Sequence, residues 1–255
     1  MHPFYGLHIR LHRAYEHFES LNLESESFLR KHPCTLWRED NAEEGSVVFY
    51  VKVFDEPPLR LSLLIADCVN NLRAALDNLM WQLACRYGSG SPSTRTQYPI
   101  CNDVAAWERI QGSLSYLPAD VLECIRLTQP YARVERGELP DVTHHQLWLL
   151  NDLWNKDKHR ELTELCYLLV NIDFPGGDDY RFSVADVVTH DGMEFSRATP
   201  RVTEPNMKFD VHFGVDIALR PRTKVRATPV RQLLATIYES LDGAVFPTFS
   251  RFLLP

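Results

Sequence analysis

Leu64-Ile-Ala-Asp-Cys-Val-Asn-Asn-Leu-Arg-Ala-Ala-Leu-Asp-Asn-Leu-Met-Trp81 carries two patterns at once. At about 100° per residue, Ile65, Cys68, Val69, Leu72, Leu76, Leu79, Met80 and Leu83 fall on one helical face. Asp67, Asn70, Asn71, Arg73, Asp77 and Asn78 fall on the opposite face, with Ala74 and Trp81 among them. The apolar face predicts a long bundle helix over residues 60–87, opened after Pro57-Pro58. The polar face is unusual in kind. A solvated face ordinarily carries Lys, Glu, Gln and Arg, whereas Asn and Asp cost a few tenths of a kcal/mol each in a helix interior. Side chains this short bond to neighbouring helices or line a cleft. An Arg73–Asp77 pair at i,i+4 spacing is the structural reading, and a ligand-lined cleft is the functional one.

A second segment repeats the pattern. In residues 144–160, His144, Trp148, Asn151, Asn155 and His159 share a stripe, with Asp152 and Lys158 beside it. Leu147, Leu150, Leu153 and Trp154 form its apolar flank. The stripe ends in Asp157-Lys158-His159-Arg160, an acid, two cations and the side chain whose ordinary pKa lies near neutrality. Cations there also complement a helix C-terminus, which accounts for them but not for Asn151 and Asn155. Packing the stripes together brings Asp67, Asn71, Arg73 and Asn78 opposite Asn151, Asn155 and His159.

Outward from these helices, residues 7–30 read as an amphipathic helix through Leu7, Leu11, Ala14, Phe18 and Leu21. Residues 45–54 are β-branched and aromatic and read as a strand. Residues 35–38 are its hairpin partner across an acidic turn. Tyr98-Pro-Ile100 is extended, residues 104–111 and 119–127 form two short helices, and Gln129-Pro-Tyr131 ends the second. Asp141 or Thr143 caps the helix over residues 141–162. Residues 165–172, 180–189, 194–198 and 208–219 alternate as antiparallel strands, and a helix over 230–254 kinks at Gly243 and Pro247. The fold class is α+β: an N-terminal helical bundle (1–162) with a small β-hairpin insertion near 35–54, then an antiparallel region with a closing C-terminal helix (163–255), packed as one compact unit.

Composition narrows the function classes. With 27 basic and 34 acidic residues the net charge is −7, which disfavours broad nucleic-acid coating but leaves room for a local basic pocket. Arg73, Lys156, Lys158, His159 and Arg160 are its members. No apolar run approaches membrane-spanning length, residues 1–10 lack a signal-peptide pattern, and six scattered cysteines suit a reducing, cytoplasmic compartment. His8 and His12 have i,i+4 spacing but no completing ligand, and no dinucleotide, Walker or nucleophile-elbow motif occurs. No cofactor or metal site is expected.

The ordered set Asp67-Cys-Val-Asn-Asn-Leu-Arg-Ala-Ala-Leu-Asp-Asn78, Tyr98-Pro-Ile, Gln129-Pro-Tyr and Asp157-Lys-His-Arg resembles a family of uncharacterised bacterial proteins. Their pattern reads approximately GD-x-x-HNLRSALDH, FPI, QPY and DKHR. This chain carries Ala66 in place of the Gly, and Asn70 and Asn78 in place of the two His. More distantly it is similar to HEPN helical domains, many of them metal-independent ribonucleases whose motif is Arg, four to six residues, then His. Arg73-Ala-Ala-Leu-Asp-Asn78 has that spacing without the His, and Asn is no general acid or base.

Two readings stand side by side. In one the chain is a HEPN-like RNA-directed enzyme, with Arg73 bearing phosphate charge and His159 moving a proton. Around them Asp67, Asn70, Asn71, Asp77, Asn78, Asn151, Asn155, Asp157, Lys158 and Arg160 line the site, taking RNA or a small anion, in a monomer or homodimer. In the other it is a non-catalytic ligand- or partner-binding regulatory protein whose stripes are structural.

Overall fold

In the computed structural model, residues 5–88, 92–93, 96–158, 163–202, 208–220 and 227–253 are described, except the side chains of residues 157 and 158. The helices and antiparallel sheets are those of an α+β protein.

The quoted stretch lies in α2 (Leu59–Tyr87). Between Leu61 and Ala84 only Leu63, Asp67 and Trp81 are exposed. A helix covered on nearly every side is a central one, and its polar positions must be short enough to pack. α1 (Tyr5–Leu29) buries Leu7, Leu11, Ala14 and Leu21. It comes so close to α2 that a Cβ on Gly6 would stand 2.8 Å from Asn78 Nδ2. α3 (Val104–Gln111) is capped by Asp103, whose carboxylate accepts the Ala106 N–H.

α4 (Ala119–Leu127) is followed directly by α5 (Pro130–Glu135). Gln129-Pro-Tyr131 therefore opens a helix as well as closing one, because proline at the first helical position lacks only an N–H that would go unused. Asp141 caps a short 3₁₀ turn at Val142–His144. α6 (Gln146–Lys158) starts behind it with His145, whose Nδ1 accepts the Leu147 N–H at 3.1 Å. The cap expected at Asp141 or Thr143 is therefore a histidine.

Of the strands, β1 (Cys34–Asn41) and β2 (Ser46–Val53) form the expected hairpin, in register from Cys34↔Val53 to Asn41↔Ser46. β3 (Leu165–Asp173) is as expected. Residues 180–189 divide into β4 (Tyr180–Val184) and β5 (Val187–Val188), which join different sheets. The crossing is fixed by Ala185 N–H on Phe195 O and by Leu169 N–H on Asp186 O, both at 2.7 Å. With β6 (Glu194–Pro200) and β7 (His212–Leu219), the orders are β1-β2-β6-β4 and β5-β3-β7.

The last helix is three pieces: α7 (Val230–Ser240), a π turn (Leu241–Val245) and α8 (Phe246–Leu253). Pro247 has no N–H and its ring collides with the carbonyl four residues back in an α-helix. The wider turn, with Phe246 N–H on Leu241 O, relieves that collision in the stretch where the kink is expected.

The chain divides into two compact units, neither of them continuous. One comprises Met1–Leu21, Leu63–Thr163 and Gln232–Pro255; the other comprises Asn22–Ser62 and Glu164–Arg231. The boundary at residues 162/163 read from the sequence lies within one residue of the structural one at 163/164, whereas those at 21/22, 62/63 and 231/232 have no counterpart in that reading. The hairpin, read as an insertion in the helical bundle, pairs through β2 with β6 and belongs to the sheet unit. The C-terminal helices belong to the helical unit. The sheet unit holds an aromatic core of Phe49, Phe174, Phe182, Phe195, Phe209 and Tyr180, with the Arg38 guanidinium 4.7 Å from the Phe209 ring centre.

Candidate functional site

Three of the four quoted sequence motifs meet along residues 98–101 of the helical unit. Tyr98 precedes Pro99, which biases it to extended backbone. In an extended residue the N–H and C=O point to the same side, and a neighbouring strand ordinarily satisfies both. Here α2 does so with two side chains. Asp77 Oδ1 accepts the Tyr98 N–H at 2.9 Å, and Arg73 Nη2 donates to the Tyr98 carbonyl at 2.8 Å. Arg73 Nη2 and Asp77 Oδ1 are themselves 3.0 Å apart, which closes the ring. The i,i+4 spacing sets the two groups one helical turn apart, matching the reach of a single peptide unit.

Gln129 fixes the far end of the extended segment. It is fully buried, accepts the Cys101 N–H at 2.8 Å and donates to the Ile125 carbonyl at 2.9 Å. That carbonyl, in the last turn of α4, also accepts the Thr128 N–H at 3.3 Å and the Thr128 hydroxyl at 2.7 Å. Residues 98–101 are thus held from both sides by side chains acting in place of strand neighbours.

Arg73 lies on the polar face of the helical wheel yet is only 3% exposed. α6 covers it: the guanidinium carbon lies 4.8 Å from the Trp154 ring centre, a cation–π contact in a desolvated setting. Burial pulls the guanidinium below its ordinary pKa against the opposing pull of Asp77, and an arginine keeps its charge even so. Its Nε and Nη1 are buried without hydrogen-bond partners among the described residues.

The other sequence-predicted residues spread along the two helices. Asp67 is exposed, 3.9 Å from His17 Nδ1 of α1. Asn71 donates to the Asp67 carbonyl at 2.8 Å, as a helix-internal bond, and its Oδ1 and that of Asn78 are buried without hydrogen-bond partners among the described residues. Asn70 and Asn151 are half-buried, and Asn155 is exposed. Asp152 pairs with Lys156 at 2.6 Å. His159 and Arg160, and the side chains of Asp157 and Lys158, lie outside the described residues. Of the predicted set, the structure brings Arg73 and Asp77 together. Their partner on α6 is Trp154, which the sequence places on the apolar flank.

A cavity of about 230 Å³ opens beside this knot. The Tyr98 hydroxyl and Thr128 Oγ1 are 2.6 Å apart, and Thr128 lines the cavity. Arg133 and His145 form its polar wall. His145 is 5% exposed, and burial with the nearby charges of Arg133 and Arg136 pushes its pKa down to about 4, against the pull of Glu138. At neutral pH it is an uncharged imidazole. Its Nδ1 is occupied by the Leu147 N–H, so the ring proton sits on Nε2. Sequence reasoning passed over His145 and Arg133. The one local signal was a histidine directly before a helical run, in the place of a capping residue.

Among the described residues no group of three or more His, Cys, Asp or Glu side chains is arranged to hold a metal ion. Nor, among those residues, is any helix long and apolar enough to cross a membrane. No family model, curated protein or solved structure matches the chain.

Proposed function

We propose that the protein is a non-catalytic, ligand-binding regulatory protein in which the Arg73–Asp77 pair is a scaffold and the adjoining cavity is the binding site. One observation carries this reading: Arg73, the residue a phosphate-directed enzyme would need at an open cleft, is sealed at 3% exposure and committed to the Tyr98 backbone. A guanidinium used this way gives its directional hydrogen bonds to the fold. Replacement of both family histidines by Asn70 and Asn78 points the same way, since neither amide transfers protons. A reducing, cytoplasmic setting suits the reading, for all six cysteines are free and five of them are buried.

The competing proposal, a HEPN-like RNA-directed enzyme using Arg73 and His159, draws on a single observation. Arg73 Nε and Nη1 remain unpartnered among the described residues and are donors suited to phosphate oxygens. Incubation with labelled RNA in the presence of EDTA separates the two. The binding reading expects no cleavage, together with thermal stabilisation by members of a metabolite panel. Cleavage lost in both Arg73→Ala and His159→Ala variants that remain folded overturns it.

A further inference from the structure

The cavity beside the knot has a composition that selects a ligand class. This inference rests on the ligand-binding reading above and assigns its ligand. We propose that the cavity binds a small aliphatic monocarboxylate, its oxygens received by His145 Nε2–H and the Arg133 guanidinium and its chain laid against Leu127, Ala244 and Val245.

Four features converge. Arg133 is the one ionised side chain among the lining residues, so the wall is cationic. Glu138 engages Arg133 at Nε, and the Arg133 side chain is 45% exposed, open to a second acceptor. Glu138 is shared with Arg136, so these three side chains together carry a net charge of +1. A neutral Nε2–H beside Arg133 gives a second donor without adding charge, which matches a monoanion better than a phosphate dianion.

Leu127, Ala244 and Val245 supply the aliphatic part of the lining beside Cys124, Thr128, Ser240 and Thr248, and the lining contains no aromatic ring to stack a nucleobase. A volume of about 230 Å³ equals roughly eight waters at about 30 Å³ each. That suits a chain of about four to six carbons with its carboxylate. The π turn supplies Ala244 and Val245, and such turns recur where helices border functional sites.

The test is isothermal titration calorimetry of the full chain with acetate, butyrate and hexanoate, with butyramide as the uncharged match. Affinity is expected to rise about fourfold per added methylene until the cavity is filled. Butyramide is expected to bind at least tenfold more weakly than butyrate. Ala244 is exposed on its helix, so Ala244→Leu obstructs the cavity while leaving the unfolding midpoint in place, and it should cost tenfold or more in butyrate affinity. Arg133→Gln should abolish the preference for butyrate over butyramide. Equal binding of acid and amide, indifference to Ala244→Leu, or no carboxylate heat at low-millimolar concentration overturns the assignment. RNA cleavage dependent on Arg73 would instead overturn the non-catalytic reading, whatever the cavity binds, so the two failures are distinguishable.

Discussion

Replacing Arg73 by methionine isolates the contribution of the knot. Methionine keeps most of the volume against Trp154 but removes the guanidinium. The Tyr98 carbonyl then loses its charged donor at 2.8 Å, and Asp77 loses its cation at 3.0 Å. A hydrogen bond to a charged group contributes about 1.5–3 kcal/mol, and stranding a buried partner adds to the loss. Breaking a buried ion pair from one side costs about 3–5 kcal/mol. Asp77 retains the Tyr98 N–H and has a side chain 23% exposed, so water compensates part of its loss. The expected cost is therefore about 3 kcal/mol, towards the low end of the buried-pair range. Urea unfolding followed by circular dichroism reads it. Arg73→Lys should recover less than half, because an ammonium lacks the fork that spans the Tyr98 carbonyl and Asp77. In the double variant Arg73→Met/Asp77→Leu the losses should be less than additive. A change below about 0.5 kcal/mol in Arg73→Met, the range of ordinary surface substitutions, would refute the scaffold argument.

Three further outcomes follow from the same geometry. Gln129→Leu removes a buried bridge between the Cys101 N–H and the Ile125 carbonyl and should cost about 2–3 kcal/mol in the same unfolding assay. Gly6→Ala would ordinarily help a helix by about 1 kcal/mol, but here its Cβ forces the Asn78 amide to move, so the gain should be smaller, and Asn78→Ala should restore it. His145 has a folded pKa of about 4 against 6.5 in the unfolded chain, with Arg133, Arg136 and Glu138 as the charges facing it. Above pH 6.5 both states leave it neutral. Below that the unfolded state takes the proton first, so stability should fall between pH 6.5 and 4 by up to about 3 kcal/mol and then level off, as measured by urea midpoints across pH. His145→Gln should remove that portion of the slope.

The sequence made the class legible because period carries burial. Leu72, Leu76 and Leu79 recur at helical steps, so the helices could be placed within a few residues, whereas β3 was placed without strict alternation, burying Cys166 to Leu169 in succession. Long-range choices were not legible. Nothing in residues 46–53 announces that β2 pairs with β6, some 150 positions later, because strand partners are selected by tertiary packing. Gln129-Pro-Tyr131 carried a stop signal and a start signal together, and a helical wheel alone could not separate them. Arg73 was assigned to the polar face by angle, whereas its burial depends on Trp154 arriving from another helix. The pairing of Arg73 with Asp77 was readable from spacing, but its purpose, satisfying the backbone of a residue before proline, required the position of Tyr98.

The most direct test of the central claim compares labelled RNA incubated in EDTA with the wild-type chain and with Arg73→Lys, with unfolding midpoints measured on the same preparations. A scaffold role for Arg73 predicts no cleavage above buffer by either protein and a lowered midpoint for Arg73→Lys. Cleavage by the wild-type chain that disappears in Arg73→Lys while the midpoint stays unchanged would contradict it.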